Sequence, residues 1–146
     1  MGSSGFDAFD QISKDELRNI QFTGLKSTIT NAYSNLNYFK EKCQKIGLHF
    51  DDLKSIHDLS KFPFTTKEDF RSNYPFDMFA VPLNEIHRIH ASSGTTGKST
   101  IVGYTKNDLD TWSQLTCRSL KVGGAKKGDC IQISYGYGLF TGGFGT

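Results

Sequence analysis

The stretch R-I-H-A-S-S-G-T-T-G-K-S-T-I-V-G-Y-T, residues 88–105, decides the reading of this chain. Ile86–Ala91 before its centre and Thr100–Thr105 after it read as two strands, because β-branched and apolar residues recur there with the spacing of a pleated, half-buried surface. A Ser/Gly/Thr loop joins them. Gly94 and Gly97 permit tight turns and let a ligand approach the backbone closely. The hydroxyls of Ser92, Ser93, Thr95 and Thr96, exposed backbone N–H groups and the Lys98 ammonium can together hold an anion. The set suits a polyphosphate. An ordinary Ser/Gly hairpin loop has the same composition.

Gly97-Lys98-Ser99-Thr100 invites comparison with the P-loop pattern G-x-x-x-x-G-K-[S/T]. The first glycine of that pattern falls on Ser92. The context also differs, since a P-loop feeds a helix and Lys98 here precedes the strand-like Ile101-Val102-Gly103-Tyr104. A P-loop kinase or nucleoside triphosphatase is therefore set aside.

Downstream, Thr105-Lys106-Asn107-Asp108 is a capping box opening a helix that carries Leu109, Trp112, Leu115 and Leu120 and ends at Gly123-Gly124. Lys127-Gly128-Asp129 turns the chain into an expected strand over Cys130–Ser134. Tyr135–Thr146 then holds five glycines and no charge, so the chain reads as cut rather than completed.

Upstream the texture is helical. Ser13-Lys14-Asp15-Glu16 is a capping box, and Leu17, Ile20, Leu25, Ile29, Ala32, Leu36 and Phe39 form an amphipathic stripe. The stripe breaks at Asn35–Asn37, a second helix is expected over Lys40–Lys45 with Gly47 as its stop, and a third over Asp51–Leu59. Phe62-Pro63-Phe64 is extended, because the residue before proline avoids the helical region. A short helix capped by Thr65 or Thr66 covers Lys67–Asn73 and closes at Tyr74-Pro75. The six aromatics from Phe62 to Phe79 are expected to anchor this segment in a core. The expected organisation is a helical segment over residues 6–75 and an α/β segment over 76–146. Met1–Gly5 reads as a cloning scar with no apolar signal-peptide region.

At 146 residues the chain is long enough for one core, and 13% aromatic residues argue against disorder. No apolar run approaches the ~18 residues of a membrane span, so no membrane partner is expected. A formal charge of +2, with scattered lysines, gives no concentrated basic face for nucleic acid. Cys43, Cys117 and Cys130 fit neither a disulfide framework nor a zinc site, and read as reduced thiols of a cytoplasmic protein, with Cys117 and Cys130 packed as small hydrophobes. His87 and His90, three apart on a strand, fall on opposite faces and make no metal pair. No G-x-S-x-G elbow supplies a hydrolase nucleophile. No metal site is expected.

Several strings together carry a family resemblance. S-S-G-T-T-G-K (Ser92–Lys98), followed by a strand and Y-T-K-N-D-L-D-T-W (Tyr104–Trp112), resembles the phosphate-loop region of adenylate-forming enzymes of the acyl-CoA synthetase superfamily. L-S-K-F-P-F-T-T-K-E-D-F-R-S-N-Y-P-F (Leu59–Phe76), G-A-K-K-G-D (Gly124–Asp129) and Q-I-S-Y-G-Y-G-L-F-T-G-G (Gln132–Gly143) extend it to the phenylacetate–coenzyme A ligase family, from about residue 10 onward. Ser99 departs from the proline usual in that family, which frees φ and restores a backbone N–H.

The resemblance implies an α/β fold: a helical N-terminal segment, then the first strands and helix of the large adenylation domain. It implies ATP with Mg²⁺, coenzyme A as co-substrate and an aryl acid, in phenylacetate catabolism. Ser92, Ser93, Gly94, Thr95, Thr96, Gly97 and Lys98 would face the ATP phosphates, with Lys98 also catalytic. Tyr135 and Phe140 would flank the aryl ring, and Gly142 and Gly143 would leave room for it. Family members are much longer, so the 146 residues alone are expected to be inactive. The competing reading is a non-catalytic binding or assembly module, with the helical first part Ser13–Asn73 as its surface and unpaired strand edges favouring self-association, as a homodimer for example.

Overall fold

Short polar signals set where the α-helices at Lys14, Lys67 and Lys106 begin. The Ser13 hydroxyl accepts from the Glu16 N–H at 3.2 Å while the Glu16 carboxylate accepts from the Ser13 N–H at 2.8 Å, opening α1 over Lys14–Asn35. Thr66 with Asp69 and Thr105 with Asp108 repeat this reciprocal cap at later helices. The computed structural model describes residues 11–92, 99–136 and 138–139. They fall into two compact units, Met1–Thr65 and Thr66–Thr146.

In the first unit α1 stops at Leu36, whose extended backbone ends one helix and starts the next, α2 over Asn37–Lys45. The second helix therefore begins three residues earlier than Lys40. Its end is a Schellman motif: Leu48 N–H donates to Cys43 O, Gly47 N–H donates to Gln44 O, and Gly47 takes φ 69°, the left-handed conformation glycine reaches without strain. Ile29 and Tyr33 of α1, Leu36 between the helices, Phe39 and Cys43 of α2, and Leu53 and Phe62 beyond them are buried. The ring of Tyr33 meets His49 and Phe50 edge-on at 5.0 and 5.4 Å.

The expected helix over Asp51–Leu59 is instead two 3₁₀ turns, Phe50–Asp52 and Ile56–Lys61. The Asp58 carboxylate accepts from the N–H groups of Lys54 and Ser55 at 3.1 and 2.8 Å, a local alternative to helical pairing. Leu53, 1% exposed, turns into the core between the two turns. The expected aromatic anchoring holds for Phe62 but fails for Phe64, which is 89% exposed, and for the exposed Tyr74 and Phe76. The thiols also exchange roles: Cys43 is fully buried, whereas Cys117 and Cys130 are exposed.

The second unit opens with α3 over Lys67–Ser72. Strands β1 (Ile86–Ala91) and β2 (Ile101–Thr105) pair antiparallel, from Ile86 opposite Thr105 to Ala91 opposite Ile101, with a bulge at His87. Gly103 lies under Phe79, where an added Cβ would come within 2.8 Å of the ring. Helix α4 follows β2 without a linker and runs over Lys106–Val122. Cys130–Ser134, expected as a strand, has no ladder partner among the described residues, so it forms no sheet there. These elements place a two-stranded hairpin, with its connecting loop at one end, beside a helix.

Candidate functional site

The hairpin brings the two ends of the Ser/Gly/Thr loop together. Beyond the Ala91–Ile101 pair, the Ser92 N–H donates to Thr100 O at 3.0 Å and the Thr100 N–H donates to the Ser92 hydroxyl at 2.9 Å. Ser92 thus accepts through its oxygen while its own hydroxyl proton stays available to a ligand. Ser93, Gly94, Thr95, Thr96, Gly97 and Lys98 lie outside the described residues. The structure therefore defines the neck of the expected phosphate loop. The strand Ile101–Thr105 follows that loop, which is not the strand-to-helix passage of a P-loop.

Of the residues expected at the aryl pocket, Tyr135 is described and is 66% exposed. Phe140, Gly142 and Gly143 lie outside the described residues. Leu139, next to Phe140 in sequence, is held against the hairpin: its carbonyl accepts from the Ala91 N–H at 2.7 Å. The end of β1 that leads into the loop is thereby joined to the glycine-rich segment.

Sequence reasoning weighed His90 only as half of a metal pair and so missed its place. It is 3% exposed, while His87, one face over, is exposed. The rings of His90, Tyr104 and Trp112 meet at centroid distances of 5.1 to 5.6 Å. The signal was present: His90 stands opposite Val102, so Tyr104 is its diagonal cross-strand neighbour on the same face. What the sequence lacked was the register.

Open grooves run along parts of the described residues, and the two that follow contain no expected site residue. One, of about 570 Å³, is lined by Gly103, Tyr104, Asp108, Thr111, Trp112 and Leu115. The other, of about 550 Å³, runs along α1 between Phe22 and Asn35. No three His, Cys, Asp or Glu side chains converge on a point among the described residues. No described helix is long and apolar enough to cross a membrane.

No protein-family model matches the chain. Among curated proteins, it is 52% identical over 140 residues to the phenylacetate–coenzyme A ligases of Aromatoleum evansii and Escherichia coli, covering 96% of this chain and 32% of each relative. The Thermus thermophilus phenylacetate–coenzyme A ligase is 43% identical over 136 residues, 93% of this chain and 31% of that protein. The chain thus spans about a third of the length of the curated relatives it matches. Among solved structures, a 2-hydroxyisobutyryl-CoA ligase in complex with 2-HIB-AMP and CoA superposes with a TM-score of 0.82 at 26% identity, over 92% of this chain and 29% of that one. An open conformation of the same enzyme gives 0.80 at 24% identity, over 92% and 32%. The chain accordingly matches the phenylacetate–coenzyme A ligases in sequence over about a third of their length, and the adenylate-forming CoA ligases in fold.

Proposed function

We propose that this chain is the segment of an ATP-dependent phenylacetate–coenzyme A ligase that holds the ATP phosphates and opens the aryl-acid pocket. The observation that carries the proposal is the 52% identity to named ligases across 96% of the chain, phosphate loop included. The closed loop neck at Ser92 and Thr100 and the tie from Ala91 to Leu139 support it, because these described residues, which border the two assigned stretches, lie at one end of the hairpin.

In this reading Ser92, Ser93, Gly94, Thr95, Thr96, Gly97 and Lys98 surround the phosphates. The acid's carboxylate oxygen attacks the α-phosphorus, the bond to the β-phosphate oxygen breaks, and pyrophosphate leaves. Charge grows on that leaving group, and backbone N–H groups, hydroxyls and the Lys98 ammonium stabilise it where it forms. Coenzyme A sulfur then attacks the acyl carbon of the adenylate, AMP departs, and the thiol proton passes to solvent or base. Tyr135 and Phe140 flank the ring, while Gly142 and Gly143 leave it space. Mg²⁺ would accompany ATP and neutralise part of the phosphate charge. The sequence reading also places the protein in the cytoplasm and leaves a second copy of the chain as a partner through unpaired strand edges.

The test compares this chain with the full-length protein that carries it, by AMP release from ATP with phenylacetate and coenzyme A. Turnover in the long form alone, dependent on both acid and thiol, is expected. Robust AMP formation by the 146 residues would overturn the expected inactivity of the segment. No turnover in either form, with concentration-dependent association, would replace the ligase reading by the assembly module.

A further inference from the structure

His90 is the buried polar side chain of the described residues, and its two ring nitrogens face different situations. Nδ1 lies 3.2 Å from the Leu139 carbonyl oxygen, 49 positions along the chain. The same oxygen accepts the Ala91 N–H at 2.7 Å. Nε2 is buried and has no hydrogen-bond partner. A carbonyl oxygen only accepts, so the contact is a hydrogen bond when Nδ1 carries the proton, the tautomer in which the neutral ring leaves Nε2 as an unpartnered lone pair.

That arrangement is poorly suited to a purely structural role. A buried polar atom without a partner carries a desolvation cost, and an apolar ring in the Tyr104–Trp112 cluster would avoid it. What the imidazole supplies is the second hydrogen bond on the Leu139 carbonyl. Two adjacent groups of β1, the His90 ring and the Ala91 N–H, then converge on one acceptor and define its position in two directions rather than one. The rings of Tyr104 and Trp112 restrain the imidazole that does so.

We infer that His90 is a positioning residue: with Ala91 it sets the distance between the strand end that enters the phosphate loop and the glycine-rich segment at Leu139. The inference rests on the ligase reading for its purpose, since that segment is assigned there to the aryl acid. It predicts a residue that acts on the acid and leaves ATP affinity alone.

Three forms of the protein separate positioning from stability. His90→Phe keeps a ring and removes both nitrogens. His90→Asn keeps a donor near the place of Nδ1. In the 146-residue chain, imidazole ¹⁵N shifts should show a protonated Nδ1 and a bare Nε2. Amide exchange at Ala91 should quicken about three- to tenfold in His90→Phe, the scale of one net hydrogen bond, and return toward the original rate in His90→Asn. The urea midpoint of His90→Phe should be unchanged or higher. In the full-length protein, His90→Phe should raise KM for phenylacetate by about three- to tenfold, leave KM for ATP unchanged, and be rescued by His90→Asn. An Nε2–H tautomer, unaltered Ala91 exchange, or acid and ATP constants moving together would overturn the inference. A full-length protein with no ligase activity would defeat the ligase reading and the purpose given to His90, while the exchange rates would still decide whether the tie exists.

Discussion

The buried apolar side chains of the described residues all lie in the first unit, between Ile29 and Phe62, whereas the buried residue of the second unit is a histidine. The first unit buries Leu36, Phe39, Cys43 and Leu53 along and between its helices. In the second, α4 buries none of its side chains, and Leu115 on its apolar stripe is 60% exposed. The contrast separates two ways of holding a shape. One unit excludes water from a core. The other relies on strand pairing, a capping box, a ring cluster and hydrogen bonds to the Leu139 carbonyl. It is the second, less buried unit that carries the expected chemistry, as is common where loops on a scaffold bear function.

The sharpest probe of that division is Lys98→Ala in the full-length protein. It should lower kcat by about 10²–10³ in the ligase assay, the usual scale for removing one group that stabilises developing charge. The urea midpoint of the 146-residue chain should not move. Rates within threefold of the unmodified enzyme would take Lys98 out of the reaction.

Next in size is Leu53→Ala in the first unit. Leu53 is 1% exposed, and truncating a core leucine costs about 2–5 kcal/mol through lost burial and the cavity left behind. The urea midpoint should fall accordingly. A fall no larger than that of a surface substitution would show that the first unit has no working core.

A pH series sharpens the comparison further. The Asp58 carboxyl is held down from 3.8 to about 2, chiefly by its hydrogen bond with Lys61 at 2.7 Å and then by those from Ser55. A carboxyl lowered in the folded state stabilises it above the unfolded value, and that contribution is lost as pH falls from about 4 through about 2. Unfolding followed from pH 6 to pH 2 should show this loss in the native chain and a flatter profile in Asp58→Asn. Parallel profiles would remove Asp58 from the balance.

The smallest effect belongs to Leu115→Ala. Its side chain is mostly in water, so the urea midpoint should shift by no more than about 0.5 kcal/mol equivalent. A loss as large as that of Leu53→Ala would mean that the face of α4 carrying Leu115 is covered in solution.

The local signals were legible in the sequence because their causes are local. Ser13 with Glu16, Thr66 with Asp69 and Thr105 with Asp108 open helices through side chains three residues from the backbone groups they cap. Gly47 ends α2 because a left-handed residue was needed there. The two strands around residues 88–105 followed from their composition. The misreadings share one cause. Asp51–Leu59 has helical residues, yet Leu53 turns into the core and Asp58 takes the free N–H groups of Lys54 and Ser55. Cys130–Ser134 has strand residues without a described neighbour to pair with. Which cysteine is buried depends on what packs against it, and spacing alone is silent on that.

By itself, then, the sequence determined the capping boxes, the Gly47 stop and the two strands around residues 88–105, and the family resemblance of a loop rich in glycine, hydroxyls and one lysine. These depend on bonds among residues a few positions apart. Tertiary structure alone decided that Ser92 and Thr100 close the neck of that loop, and that His90 is buried beside Tyr104 and Trp112. It likewise decided that Ala91 and His90 share the carbonyl of Leu139. Those contacts join positions far apart in the chain, and they exist only once strand register has brought the backbones within hydrogen-bonding reach.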